Sequence, residues 1–322
     1  MKAIVQDEYG SPNILELRDI DKPEIADDEV LVRVHAAGVG RDVWHIMRGL
    51  PYPIRLAGYG LRAPKNPVPG RDVAGVVETV GKNVVSRFQP EDEVFGIGKG
   101  SFAEYVCARE DKLAHKPANL TFEQAAVVAI SGLTALQGLR DHGRVEPEQK
   151  VLVIGASGGV GTFAVQIGKS FGADVTGVCS TRKVAMVQSI GADQVIDYTQ
   201  EDFTQSGQRY DLIFDLVGNR SLSDCRRALT PTGTLVLSSG DGGRWLGPMG
   251  RIINVLVLSP FVRQKLRTFI SSENYDDLIV LKEFIESGVT PVMDRTYPLS
   301  EVPEAIRYLE EGHAQGKVAI IV

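Results

Sequence analysis

The stretch Val151-Leu-Val-Ile-Gly-Ala-Ser-Gly-Gly-Val-Gly161, continuing as Thr162-Phe-Ala-Val-Gln-Ile-Gly-Lys-Ser-Phe-Gly172, decides the fold. An apolar, β-branched run stops at Gly155. A glycine-rich turn follows, and a segment of helical period opens directly from it. Strand, turn and helix in that order make a phosphate-binding turn, because the helix N-terminus offers unpaired N–H groups and a positive dipole end. Gly158 lets backbone approach a pyrophosphate, and Gly161 lets the helix pack closely on its strand. A second strand, Asp174 to Cys179, completes a β-α-β unit. Ala156 stands where the strict G-x-G-x-x-G fingerprint has its first glycine. The expected nucleotide contacts in the turn are Gly155, Ser157, Gly158, Gly159, Val160 and Gly161.

Outward from this unit the chain alternates. Strands are expected at Val151–Ile154, Val175–Cys179, Val195–Asp197, Leu212–Asp215 and Thr234–Ser238, with amphipathic helices between them. That alternation predicts a doubly wound parallel sheet covered on both faces, an α/β fold. The first part reads differently. Ile14–Arg18, Val30–Ala36, Val73–Val80, Glu93–Phe95 and Phe102–Ala108 look like strands bounded by Pro and Gly, with one helical piece, Arg41–Arg48. Gly49 to Pro69 reads as irregular. Together these suggest an irregular β-barrel. Thr121-Phe-Glu-Gln124 matches a capping box and starts a helix, near which the domains change. After Gly288 a strand (Pro291–Tyr297), a helix (Val302–Glu311) and the tail Lys317–Val322 are expected to return to the first domain. The boundaries read as 1–122 with 290–322, and 123–289.

Length and charge narrow the function. At 322 residues two domains have ample core, and a net charge of −6 gives no pointer to nucleic acid. Met1 to Asp7 reads as a strand, not as a signal peptide, and no apolar run approaches a membrane span. Cys107, Cys179 and Cys225 are scattered and odd in number, which argues for a reducing, cytoplasmic setting.

Several blocks carry a family resemblance. They are Ala36–Val39, Pro69-Gly-Arg-Asp-Val-Ala-Gly-Val-Val77, Gly100-Ser-Phe-Ala-Glu-Tyr105, Ser131-Gly-Leu-Thr-Ala135, Gly155–Gly161, Gly191–Asp193, Val195–Tyr198 and Gly316–Val318. In that order they resemble the medium-chain dehydrogenase/reductase superfamily, in its zinc-independent quinone oxidoreductase-like branch. The resemblance implies a GroES-like β-barrel catalytic domain, a Rossmann domain inserted into it, and a homodimer. Zinc-dependent members place Cys, His and Cys where this chain has Gly40, Arg71 and Ile130, none of which ligates zinc. The four-cysteine lobe is replaced by Phe95-Gly-Ile-Gly-Lys-Gly100. His35, His45, His115, His142 and His313 show no ligand spacing, so no metal is expected.

The cofactor choice turns on Val178-Cys-Ser-Thr-Arg-Lys183, the end of the second Rossmann strand. NAD sites place an acid there for the ribose 2′-hydroxyl. Here Ser180 can hydrogen-bond a phosphate and Arg182 and Lys183 can neutralise it, so NADPH is expected. The resemblance adds Tyr198 beside the adenosine phosphate and Thr134 near the nicotinamide ribose. Val217, after the Leu212–Asp215 strand, completes the expected cofactor set. Trp44, His45 and Tyr52 match substrate-side positions, Tyr52 that of a tyrosine proposed as proton donor in similar enoyl reductases. The bland readings are a pocket wall for Tyr52, a packing aromatic for Trp44 and a shaping role for His45. Gly40 departs from the Asn common there.

Without a metal, conjugated acceptors are favoured. Hydride added to a quinone or an α,β-unsaturated carbonyl spreads charge over a conjugated oxygen, whereas an isolated ketone needs a Lewis acid or a strong proton donor. The expected function is therefore an NADPH-dependent quinone or enone reductase. The alternatives are a non-catalytic NADPH-binding sensor and an alcohol dehydrogenase-like activity on another carbonyl. Two segments stand apart. Arg55–Asn66 is a long loop, either a lid or surface decoration. Between Asp241 and Glu273 there is no acid, while Arg244, Arg251, Arg263, Lys265 and Arg267 lie among Trp245, Leu246, Ile252, Leu256, Leu258, Phe261 and Phe269. This reads first as a dimer-edge strand with a helix walling the pocket, in which case no membrane contact is expected. The second reading is an interfacial patch.

Overall fold

The computed structural model describes residues 1–84, 87–238 and 249–322. Arg244, Trp245 and Leu246 lie outside the described residues. The chain forms two compact units, Met1–Leu133 with Glu273–Val322, and Thr134–Ser272.

The first unit begins with an antiparallel pair, β1 (Lys2–Val5) and β2 (Glu16–Asp19). Then come β3 (Glu29–Val39), α1 (Arg41–Arg48), β4 (Asp72–Val80), β5 (Glu93–Ile97), β6 (Tyr105–Arg109), β7 (Leu113–His115), α2 (Phe122–Ala125) and α3 (Ala129–Gln137). The capping box at Thr121 is formed in full: its hydroxyl accepts the Gln124 N–H, and Gln124 reaches back to the Thr121 N–H. The second unit holds β8 (Lys150–Ile154), α4 (Gly159–Ser170), β9 (Asp174–Cys179), α5 (Val184–Ser189), β10 (Gln194–Asp197), β11 (Tyr210–Asp215), α6 (Leu222–Ala228), β12 (Leu229–Leu237), α7 (Met249–Leu258) and β13 (Lys265–Thr268). The chain re-enters the first unit with α8 (Tyr275–Glu286), β14 (Met293–Pro298), α9 (Val302–Glu310) and β15 (Lys317–Ile321).

β3 organises the first unit. One edge pairs with β4, with two register shifts that bend the strand. Its other edge is shared, residues 29–33 taking β6 and residues 36–39 taking β15. The strand is therefore paired along both edges, and most of its residues are buried, Arg33 being exposed. Val30, Val32 and Val34 join Val73, Val77 and Val94 in one cluster, and Ala37 and Val39 join Met47, Phe102 and Ile320 in another.

Three local readings change. Pro12 opens a short 3-10 turn, so the strand expected at Ile14 begins at Glu16. The strand expected at Phe102 begins at Tyr105, because Phe102 and Ala103 run beside β1, with the Ile4 N–H donating to the Phe102 carbonyl at 2.9 Å. The segment read as irregular contains a helical turn, Arg55–Tyr59. The Tyr9 hydroxyl holds that turn by donating to the carbonyls of Tyr59 (3.0 Å) and Gly60 (2.7 Å), and the Arg55 guanidinium lies over the Tyr9 ring. The compact units part at 133/134 and 272/273. Leu281 of α8 packs against Gly132, and the Asn119 amide donates to the Ile285 carbonyl at 3.0 Å, which ties both segments to the first unit.

The second unit is a parallel sheet of order β10-β9-β8-β11-β12-β13. The order reverses between β8 and β11, the point at which open α/β sheets present a crevice at their strand ends. Leu152, Ile154, Ile213, Leu235 and Leu237 form its core with Val255 of α7.

Candidate functional site

The glycine turn lies at this switch point. Gly155 leaves β8 with φ +88°, a conformation that side chains resist, and a Cβ there would meet Val217 at the end of β11. Its N–H and that of Ala156 both donate to the Val178 carbonyl (3.1 Å each), which locks the turn to β9. Gly158 caps α4 in an extended conformation, and the Thr162 N–H closes the first helical bond onto its carbonyl at 2.9 Å. The N–H groups of Gly159, Val160 and Gly161 precede that bond and face no helical acceptor. A Cβ on Gly161 would collide with the Gly155 carbonyl and the Ala156 backbone. One on Gly158 would meet only the Gly155 oxygen, at 3.4 Å. One glycine thus serves packing and the other leaves a cradle open to a phosphate-bearing group. Ala156 is tolerated because Gly177 faces it across β9: a Cβ there would lie 2.9 Å from the Ala156 methyl.

Ser180 follows β9 and caps a short turn, Thr181–Lys183, with the Lys183 N–H donating to its carbonyl at 2.8 Å. Arg182 is exposed and Lys183 half-buried. Tyr198 is exposed beside them, its N–H donating to the Cys179 carbonyl at 3.1 Å. Asp197 was not singled out from the sequence. Its carboxylate accepts the Thr181 hydroxyl at 2.6 Å and the Thr199 N–H at 3.0 Å, which holds it below the ordinary range and fixes the Ser180 turn. The Cys179 thiol is pushed up to about 11 by burial, with Asp197 adding to the effect.

A second unanticipated group is Asp215, fully buried at the end of β11. One oxygen accepts the N–H groups of Val217 (3.0 Å) and Gly218 (2.8 Å), and the other accepts Nη2 of Arg251 at 2.6 Å. Arg251 thereby braces the turn carrying Val217. Nε and Nη1 of Arg251 are buried and have no hydrogen-bond partner among the described residues. Thr134 is buried and its hydroxyl donates to Ser271 at 3.1 Å.

In the first unit, positions 40, 71 and 130 are drawn together around charge. Asp72, adjacent to Arg71, accepts the Ile130 N–H at 2.9 Å and the Lys317 ammonium at 3.0 Å. Burial pushes the Asp72 carboxyl upward against the pull of Lys317. A Cβ on Gly40 would collide with the Asp42 carboxylate and lie 3.4 Å from the Lys317 nitrogen. Arg71 pairs with Glu273, which also accepts Lys112 at 2.7 Å, and Arg71 lies 3.9 Å from Asp42. Burial would raise Glu273, but Arg71 and Lys112 together hold it below the ordinary carboxylate range. Three cations and three carboxylates fill this volume. Among the described residues no three of His, Cys, Asp or Glu cluster to hold a metal ion.

Trp44, His45 and Tyr52 lie on α1 and just beyond it. The Trp44 indole N–H donates to Glu310 of α9 at 2.6 Å, and Arg48 donates to the same carboxylate. His45 packs edge-on against Trp44, with centroids 4.8 Å apart. Its Nδ1 lies 2.9 Å from the Leu50 carbonyl, so Nδ1 carries the proton and Nε2 is left as an acceptor. Burial lowers its pKa, against the Leu50 carbonyl, so the ring is neutral at pH 7. Tyr52 is partly exposed, with the Arg55 guanidinium 5.0 Å from its ring centre.

A GroES-like sheet in one unit and a switch-point glycine turn in the other define a dehydrogenase-type α/β protein. Residues 26–118 match the alcohol dehydrogenase GroES-like domain, and residues 190–320 match the family described as zinc-binding dehydrogenase. The chain is 34% identical to the mitochondrial NAD(P)H oxidoreductase RTN4IP1 of Mus musculus, over 100% of this chain and 89% of that protein. It is 35% identical to the chloroplastic NADPH-dependent alkenal/one oxidoreductase of Arabidopsis thaliana, over 99% of this chain and 79% of that protein. Among solved structures, the Escherichia coli quinone oxidoreductase complexed with NADPH is similar, with a TM-score of 0.85, 26% identity and 100% of both chains covered. The chain belongs to the medium-chain dehydrogenase/reductase superfamily, in its quinone oxidoreductase-like branch, and is an oxidoreductase of that type. No helix among its described residues is long and apolar enough to cross a membrane.

Proposed function

We propose that this chain reduces a quinone or an α,β-unsaturated carbonyl with NADPH, without a metal ion. The observation that carries this reading is the ion-pair cluster at residues 40, 71 and 130, where Lys317 and Arg71 already supply positive charge and no thiolate or imidazole is present. NADPH, when bound, supplies the hydride. The N–H groups of Gly159, Val160 and Gly161 receive its pyrophosphate, with Gly155, Ser157 and Gly158 shaping the approach. Ser180, Arg182 and Lys183 receive the 2′-phosphate, and Tyr198 and Val217 flank the adenosine. Thr134 holds the nicotinamide ribose. The absence of an acid at the end of β9 supports NADPH over NADH, and the Asp197 carboxylate is engaged by Thr181 and Thr199.

On the substrate side Tyr52 donates the proton. His45, neutral and with Nε2 as an acceptor, shapes the site, and Trp44, tied to Glu310, forms a wall. The protein acts as a cytoplasmic homodimer on a small-molecule acceptor.

NADPH oxidation by chelator-treated protein tests this, with an ortho-quinone and a medium-chain 2-alkenal run in parallel. Turnover of either is expected. Tyr52→Phe then lowers the alkenal rate, and an unchanged rate removes its acid role. NADPH binding with neither acceptor reduced leaves a sensor, and activity that the chelator removes overturns the metal-free reading.

A further inference from the structure

One face of α7 is apolar and exposed among the described residues. Ile253, Leu256 and Val257 are 50%, 64% and 63% exposed, and Phe261 just beyond the helix is 82% exposed. Positions 253, 256 and 257 share one side of a helix, and 261 continues the stripe. The opposite side is anchored: Val255 is buried in the sheet core, and Arg251 is paired with the buried Asp215. The helix is thus anchored on one side while the large aliphatic side chains of the other are exposed.

Charge surrounds this stripe. An open groove of about 600 Å³, with Phe261 in its wall, is lined by Arg209, Arg226, Arg227 and Arg263. A second, of about 520 Å³, sets Arg220 beside Val257. Arg209 donates to the carbonyls of Arg227 and Leu229, and Arg226 donates to the Gln264 amide oxygen at 2.9 Å. These contacts fix the guanidinium groups without neutralising them. Among the described residues, only Arg227 and Arg220 of these arginines have carboxylate partners, Asp224 and Asp202. The sequence supplies no acid from residue 249 to residue 272.

We propose that this face docks the chain on an anionic lipid surface. An apolar stripe ringed by cations fits the boundary of headgroups and acyl chains, where the stripe is buried and the arginines meet phosphate. A second copy of the chain fits less well, since a two-fold contact would set the same arginines against one another. The proposal is independent of the reductase reading, and its test reads no turnover.

The test is flotation of the full chain with vesicles of phosphatidylcholine, alone or with about 30% phosphatidylserine, with sedimentation velocity in parallel. Binding to the anionic vesicles is expected to be at least about tenfold stronger and to weaken with salt. The exposed double change L256S/F261S is expected to reduce it about tenfold or more, and R263Q about fivefold, both with unaltered thermal unfolding. Equal or absent binding to the two vesicles overturns the proposal. So does L256S/F261S leaving vesicle binding intact, or its splitting a dimer instead, which would assign the face to a second copy.

Discussion

The glycine turn of the second unit and the charged centre of the first solve opposite problems. The turn works through backbone: a positive φ at Gly155, a cradle at Gly158 and close packing at Gly161. The charged centre works through side chains that meet from distant parts of the chain, Asp72 with Lys317 and Arg71 with Glu273. The first leaves space beside the backbone, and the second fills the volume around positions 40, 71 and 130 with paired charge. A glycine turn tolerates little added bulk, whereas a buried ion pair tolerates the loss of both partners far better than the loss of one.

The largest expected effect follows from that asymmetry. Lys317→Met leaves Asp72 buried and unpaired and should cost about 3–5 kcal/mol in urea unfolding. Adding Asp72→Asn should recover part of the loss. If the double variant is no better than the single one, the two residues do not act as a pair. Within the turn, two alanines separate packing from binding. Gly161→Ala should lower stability by about 1–3 kcal/mol, since its methyl meets the Gly155 carbonyl. Gly158→Ala should leave the melting temperature nearly unchanged yet weaken NADPH binding about tenfold or more, as read by fluorescence titration. Equal effects on stability would erase the distinction between the two glycines.

The cofactor end offers a smaller effect. Arg182→Gln should raise the Kd for NADPH about tenfold and barely alter that for NADH. Equal weakening of both would mean that Arg182 meets no 2′-phosphate. Smallest is the acid response of the charged centre. Glu273 is held below its ordinary value by Arg71 and Lys112, so its contribution is present above the unfolded carboxylate range, near pH 4.3, and is lost as pH falls through the lower folded value. Glu273→Gln should therefore be less stable by about 1 kcal/mol at pH 7, with the gap closing in acid. A gap that stays constant down to pH 3 would show that the carboxylate charge is not what matters.

How much was legible follows the same division. The strands around Gly155, the capping box at Thr121 and α1 could be read because neighbours in the chain encode them. Misreadings fell where a remote partner intervened: Phe102 runs beside β1, and Tyr9 gives Arg55–Tyr59 its helical turn. In the site, Asp215 and Asp197 were missed. Each stands at a strand end as an ordinary acid in sequence, and only Arg251 and Thr181, brought there by the sheet, give them their roles.

The sequence by itself determined the parallel α/β unit, its glycine turn and the residue types at positions 40, 71 and 130, because propensity, glycine spacing and residue chemistry are properties of short segments. The tertiary structure alone decided which charges meet around those positions, which acids brace the turns after β9 and β11 and which apolar residues of α7 face outward. Those depend on partners tens to hundreds of residues apart, and only the sheet topology brings them within hydrogen-bonding distance.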